Sequence, residues 1–243
     1  MTPSLTASAR TPLLDLDLIR QLRGSRLASQ MRVLCVIGAH RFDEAELIDR
    51  LFPGLTHILI FEPLPGPLQV LRDRAKADPR IEVVAAAVSD RDGTARFHVT
   101  SNDGESSSLL ELGSHREHFP HVQVAQTIEV PTRRVDSVLR EKGFPAPDML
   151  LIDVQGAEYQ VLEGLKGEVL DGVRMIYTEV SKEPLYQGGR PLVDVEALLQ
   201  PRFVNIGYAP LLPHVPIHGN AVFVARADVL AAFALSVRER LRR

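Results

Sequence analysis

Several polar side chains stand where apolar runs end. Gly38, Ala39 and His40 follow the run 33–37, and Glu62 follows the run 57–61, 24 positions after Gly38. Asp153 ends the run 149–153, Glu179 lies at the end of 173–180, and Asn220 directly precedes 221–225. These residue types suit a nucleoside-type cofactor. A glycine lets the backbone turn tightly and approach a ligand that a side chain would block. An acid at the end of a second strand can accept hydrogen bonds from two ribose hydroxyls. A carboxylate next to an acceptor hydroxyl can take its proton. A plain turn at Gly38 and a surface glutamate at position 62 form the competing reading.

For such groups to converge, the runs must lie side by side. The order of elements predicts that they do. Short apolar strands at 33–37, 57–61 and 81–88 alternate with helices at 43–52 and 65–77. Asp43 is the expected N-cap of the first, with Glu46 three positions later. Continuous apolar runs in a strand–helix alternation indicate a parallel sheet covered on both faces. Ligands bind such sheets beyond the carboxyl ends of the strands. Further on, the pattern predicts strands at 94–99 and 127–130, a helix at 135–142, a strand at 149–153 and a helix at 157–165. A strand at 173–180, a helix at 193–199 and closing strands at 203–208 and 221–225 follow. Asp228 is placed to cap a last helix. Residues 1–12 read as disordered, 13–29 as an N-terminal helix, and 101–123 as a long loop of functional character. With no dividing linker, 13–243 reads as a single domain.

Composition narrows the class. The chain has 243 residues, 45% hydrophobic and 24% charged, an ordinary globular mix. Its formal net charge of −3 gives no electrostatic reason to expect a nucleic-acid partner. The single cysteine, Cys35, excludes an intrachain disulfide and a cysteine-rich zinc site, and its apolar neighbours mark it as a buried hydrophobe. His115, His118 and His121 with Glu117 match no zinc spacing, so no metal is expected. No apolar stretch is long enough for a membrane helix, and the first residues lack the pattern of a secretory leader. A cytoplasmic enzyme is the expectation.

Taken together, the motifs resemble one family. They include Gly38-Ala39-His40, Phe61-Glu62-Pro63, Ala87-Val88-Ser89-Asp90 with Gly93, Ser106-Ser107-Ser108-Leu109 and Val135-Asp136-Ser137. Ile152 through Glu158, Thr178-Glu179-Val180-Ser181 and Gly219 through Val224 follow in the same order. The chain is similar in these segments, over roughly 31–226, to FkbM-family methyltransferases. The resemblance implies a Rossmann-like class I fold with a seven-stranded, mostly parallel sheet flanked by helices. It implies an S-adenosylmethionine-dependent O-methyltransferase acting on a hydroxyl of a sugar, glycan or polyketide-like metabolite.

Residue roles follow from the resemblance. Gly38, Ala39 and His40 line the methionine end of the cofactor, Glu62 holds its ribose, and Ala87, Ser89 and Asp90 lie beside its adenine. Asp153 binds the methionine amino group or takes the acceptor's proton. Glu179 serves catalysis or the acceptor, and Asn220 the acceptor. The chain departs from the family pattern at Val36, Phe42 and Leu151, where Asp, Gly and Lys are usual. A bulky Phe42 in the cofactor space is the basis of the rival reading, a degenerate, non-catalytic binding module. A nicotinamide oxidoreductase lacks its glycine triplet, because Gly38 is the only glycine between Met31 and Pro53. The acceptor is expected to be a small molecule or glycan, with neither nucleic acid nor membrane as partner and a homo-oligomer left open.

Overall fold

A computed structural model of the protein describes residues 22–232 except 166 and 213, and the side chain of residue 168 is also outside the description. The elements are α1 (Arg26–Gln30), β1 (Val33–Ile37), α2 (Ala45–Leu51), β2 (His57–Phe61), α3 (Pro65–Ala77), β3 (Ile81–Val84), β4 (Ala87–Val88) and β5 (Gly93–Thr100). There follow α4 (His115–His118), β6 (Val124–Arg133), α5 (Val135–Lys142), β7 (Met149–Ile152), α6 (Glu158–Gly164) and α7 (Glu168–Gly172). The chain continues through β8 (Met175–Ser181), α8 (Leu192–Leu199), β9 (Phe203–Leu212) and β10 (Val215–Ala225).

Seven strands form one sheet in the order β3-β2-β1-β7-β8-β10-β9. The first five run parallel, and β10 is antiparallel to both β8 and β9. The strand order reverses between β1 and β7, which places a crevice at their carboxyl ends. Every residue of β1 and β7 is buried, as expected for strands covered on both faces. Alternate residues feed two cores. Cys35, Ile37, Leu150 and Ile152 pack on one face, and Leu34, Val36, Met149 and Leu151 on the other. Burial pushes the Cys35 thiol far up, so it is an inert hydrophobe. A second sheet, β4-β6-β5, stands beside the first.

Several local expectations change. The run at 81–88 is two strands, because β3 pairs with β2 while β4 leaves for β6. An apolar run reports burial and carries no information about which sheet it joins. Asp43 does not cap α2. The chain makes one more turn, Glu44 takes the cap position with no cap hydrogen bond from its side chain, and Asp43 faces Arg74 at 3.5 Å. Of the helix read at 13–29, the described residues show a turn with Gly24 at φ +74° and then α1 from Arg26, with the N-cap Ser25, whose side chain accepts from the Ala28 N–H. Residues 1–21 lie outside the description. Asp228 stands directly before the helical residues 229–232 and pairs with Arg174, with N–O contacts of 3.0 and 2.5 Å. The positions 233–243 expected in the last helix also lie outside. The loop 101–123 contains α4 and is knotted by Asn102, Ser106, Ser107 and Thr100.

Phe42 is 1% exposed and packs in the core with Val36, Ile48, Leu51 and Phe52, with Leu47 against the same cluster. Its φ of +52° is the left-handed region that suits glycine. Phe42→Gly therefore relieves about 1–2 kcal/mol of backbone cost while losing a buried aromatic worth about 3–5 kcal/mol. A net destabilisation of about 1–4 kcal/mol is expected in a denaturant melt. An unchanged midpoint would show that Phe42 packing contributes no more than the backbone cost of its left-handed φ.

Candidate functional site

The sheet register draws the polar residues into one row. Ile37 stands beside Ile152, Ile152 beside Thr178, and Asn220 directly opposite Glu179. One residue beyond, Gly38, Asp153, Glu179 and Asn220 are neighbours across four strands, the first two just past β1 and β7 and the last two inside β8 and β10. Alternation turns the last three toward the same face of the sheet. Gly38 has φ +80°, and a Cβ there would lie 1.7 Å from the Asp153 carbonyl oxygen. Only a glycine lets these two strand ends close together.

A half-open cavity lies beyond this row. Gly38, His40, Glu62, Ala87 and Asp153 line it, and Phe97 and Leu109 add an apolar wall. Ser89 and Asp90 line an adjoining hollow that shares Val88, Leu109 and Ala157 with the first. Ala39 is buried in the core beside Val36 and Phe42. Glu179 and Asn220 are buried in the row next to Asp153 and outside the cavity lining. Phe42 is also absent from the lining.

Glu62 is 4% exposed, and its two carboxylate oxygens accept the backbone N–H groups of His40 and Leu64, each at 2.8 Å. Each oxygen keeps acceptor capacity for a further donor. Burial raises its pKa to about 7 against the pull of those two bonds. The His40 ring Nε2 lies 3.0 Å from the Asp103 carbonyl, and Arg41 pairs with Asp103 at 2.7 Å. These contacts dock the loop 101–123 over the cavity, where Gly104, Glu105 and Ser107 complete the wall.

Deeper in, three carboxylates converge. One oxygen each of Asp153, Glu158 and Glu179 lies within 4.8 Å of the others. Gln155, held at φ +55°, donates its Nε2 to Asp153 Oδ1 at 2.7 Å and to Glu179 Oε2. Tyr186 reaches Gln155 Oε1 at 2.7 Å and the Ser106 carbonyl at 3.1 Å. Glu158 Oε1 accepts the N–H groups of Val154 and Gly156 at 3.2 and 3.0 Å. His218 Nε2 stands 3.4 Å from Glu179, and its Nδ1 contacts Ser181 at 3.0 Å. Burial first, then the Glu179 charge, raises Asp153 well above the carboxylate range. Burial raises Glu158 to about 7, and burial with the Glu158 charge raises Glu179 to about 8. Burial lowers His115 to about 4, and its ring stacks near Phe119 and Tyr186, away from metal chemistry.

Gln155, Tyr186 and His218 were not among the candidates read from sequence. Gln155 sits inside the quoted motif, but its bridging role depends on a left-handed backbone that no residue type announces. Tyr186 arrives from a connection between β8 and α8 with no motif of its own.

The chemistry of the donor set fits S-adenosylmethionine. Glu62, with spare acceptor capacity, lines the cavity together with the apolar Phe61, Phe97 and Leu109 and with Asp153. A doubly wound sheet with its crevice at the β1/β7 reversal and this lining define a class I type of methyltransferase. The FkbM methyltransferase domain matches residues 37–208. The 2-O-methyltransferase NoeI of Sinorhizobium fredii is 33% identical over 207 residues, covering 83% of this chain and 84% of that protein. The methyltransferase sdnD of Sordaria araneosa is 29% identical over 172 residues, 61% of this chain and 64% of the relative. A crystal structure of an FkbM methyltransferase from Methylobacillus flagellatus shares the fold, with TM-score 0.52 at 13% identity. That match covers 80% of this chain and spans 43% of the other. This chain belongs to the FkbM methyltransferase family and is an S-adenosylmethionine-dependent methyltransferase. Among the described residues, no helix is long and apolar enough to cross a membrane.

Proposed function

We propose that the protein O-methylates a hydroxyl of a sugar, glycan or polyketide-like metabolite. The observation that carries this reading is the in-register row Gly38, Asp153, Glu179, Asn220 at the edge of the cavity. The 2-O-methyltransferase named above supports a hydroxyl acceptor. Bound in the cavity, S-adenosylmethionine supplies an electrophilic methyl group on a sulfonium. Glu62 accepts the ribose hydroxyls, Ala87 lies at the base, and Gly38 with His40 flanks the methionine end. Ser89 and Asp90 border the base from the adjoining hollow. Ala39 supports that wall from the core. Asp153 is placed to hold the amino group or to take the acceptor's proton, with Glu179 sharing the charge through Gln155. Positioning supplies much of the rate in such a displacement. The rival binding-module reading rested on Val36 and Phe42, and both are core residues outside the cavity lining.

Incubation with methyl-labelled S-adenosylmethionine and a panel of free sugars, oligosaccharides and hydroxylated polyketides tests the reading. Label on an acceptor oxygen is expected. Transfer only to nitrogen or sulfur acceptors would overturn it.

Glu62 gives a pH signature. Its folded pKa lies above its unfolded value because burial disfavours the charge, whereas hydroxyl donors favour the ionised form. S-adenosylhomocysteine should therefore bind more tightly as pH rises between about 6 and 8 and level off above. Glu62→Gln should flatten that rise and weaken binding roughly ten- to a hundredfold, the worth of hydrogen bonds to a charged group. Calorimetric titration across this range checks both. A Glu62→Gln protein with the wild-type profile would remove the ribose assignment.

A further inference from the structure

Asn220 is 0% exposed, and neither its Oδ1 nor its Nδ2 has a hydrogen-bond partner among the described residues. A buried amide with both ends unpaired is uncommon and calls for an unseen partner. Its neighbours say which kind. Cross-strand pairing places Asn220 directly opposite Glu179, on the same face, and Asp153 is next in the row. One carboxylate oxygen each of Asp153, Glu158 and Glu179 lies within 4.8 Å of the others. That separation matches two metal–oxygen bonds of about 2.0–2.6 Å to one hard cation.

We propose that the protein binds one divalent cation, magnesium or manganese, between Asp153, Glu158, Glu179 and Asn220 Oδ1. An all-oxygen donor set selects hard cations over zinc or copper. This departs from the expectation of no metal, which considered only histidine and cysteine spacings. On the methyl-transfer reading, the cation would hold the acceptor hydroxyl beside the methyl donor and ease its deprotonation. That role rests on that reading, and the binding site itself does not.

The test is manganese titration of the EDTA-treated full-length protein, without cofactor or acceptor, with free manganese followed by electron paramagnetic resonance. Saturable binding at a single site, displaced by magnesium, is expected. Glu179→Gln and Asn220→Leu should each weaken it by about tenfold or more. Asn220→Asp adds a carboxylate to the row. It should tighten manganese binding, and its melting temperature should rise with added metal more than that of the wild type. Absence of saturable binding to the wild type at millimolar manganese would overturn the proposal. So would unchanged affinity in folded Glu179→Gln. S-adenosylhomocysteine titration of the same samples separates the two ideas, because a protein that binds it but no manganese loses only the cation.

Discussion

Asp153→Asn is expected to abolish most methyl transfer while leaving the protein as stable as before. The substitution keeps the shape and the acceptor oxygen for Gln155 Nε2, which bonds Asp153 Oδ1 at 2.7 Å. The backbone bond from Asp153 N–H to the Ile37 carbonyl, at 2.9 Å, is untouched. What disappears is a carboxyl in a buried cluster whose ionisation burial and the Glu179 charge already disfavour. Removing it lessens repulsion with Glu179, so the melting temperature at neutral pH should stay level or rise. A positioned proton acceptor contributes roughly 10²- to 10⁴-fold, and a loss of that size is the expected result at saturating cofactor.

The accompanying change in cofactor affinity assigns the role. Unchanged S-adenosylhomocysteine binding with lost turnover places Asp153 on the acceptor side, at the acceptor's proton or at the proposed cation. A parallel fall in both places it on the methionine amino group. Full transfer to an identified acceptor by a folded Asp153→Asn protein would show that neither role is needed.

The sheet was legible because its strands announce themselves by burial. The runs ending at Ile37, Phe61 and Ile152 are apolar apart from the exposed His57 that opens the second, and their alternation with helices marks strands covered on both faces. From there the row Gly38, Asp153, Glu179, Asn220 follows by counting to the strand ends. The cover over the cavity was far less legible. Its contacts are single bonds between loops, such as His40 to the Asp103 carbonyl and Tyr186 to the Ser106 carbonyl. No periodicity encodes such pairs. Left-handed residues account for much of the rest. His40, Phe42, Asp103 and Gln155 all have positive φ without being glycine. A sequence reader places such turns at glycines, and here the surrounding contacts impose them on residues that resist. That is why Asp43 looked like the cap of α2, although the extra turn at Phe42 moved the helix start past it.

Gly38→Ala should produce the largest structural effect of any single methyl group added to this chain's cavity wall. The new Cβ would meet the Asp153 carbonyl oxygen at 1.7 Å and its carbon at 2.8 Å, with Val154 Cγ1 at 3.4 Å. The first two are backbone atoms in the central strand pair, so no side chain can swing aside. Position 38 also has φ +80°, where alanine pays about 1–2 kcal/mol before any contact is counted. Relief requires β1 and β7 to part at the carboxyl ends, which also breaks the 2.9 Å bond from Asp153 N–H to Ile37. Together these place the cost near the top of the usual range for single substitutions, about 4 kcal/mol. For a chain of this size that is a fall in melting temperature of roughly 10 °C. Because Gly38 and Asp153 both line the cavity, the fraction that still folds should bind S-adenosylhomocysteine at least about tenfold more weakly. Differential scanning calorimetry and calorimetric titration on the same preparation measure the two effects. A Gly38→Ala protein with native melting temperature and native affinity would mean that the β1 and β7 ends do not close as tightly as the 1.7 Å approach requires.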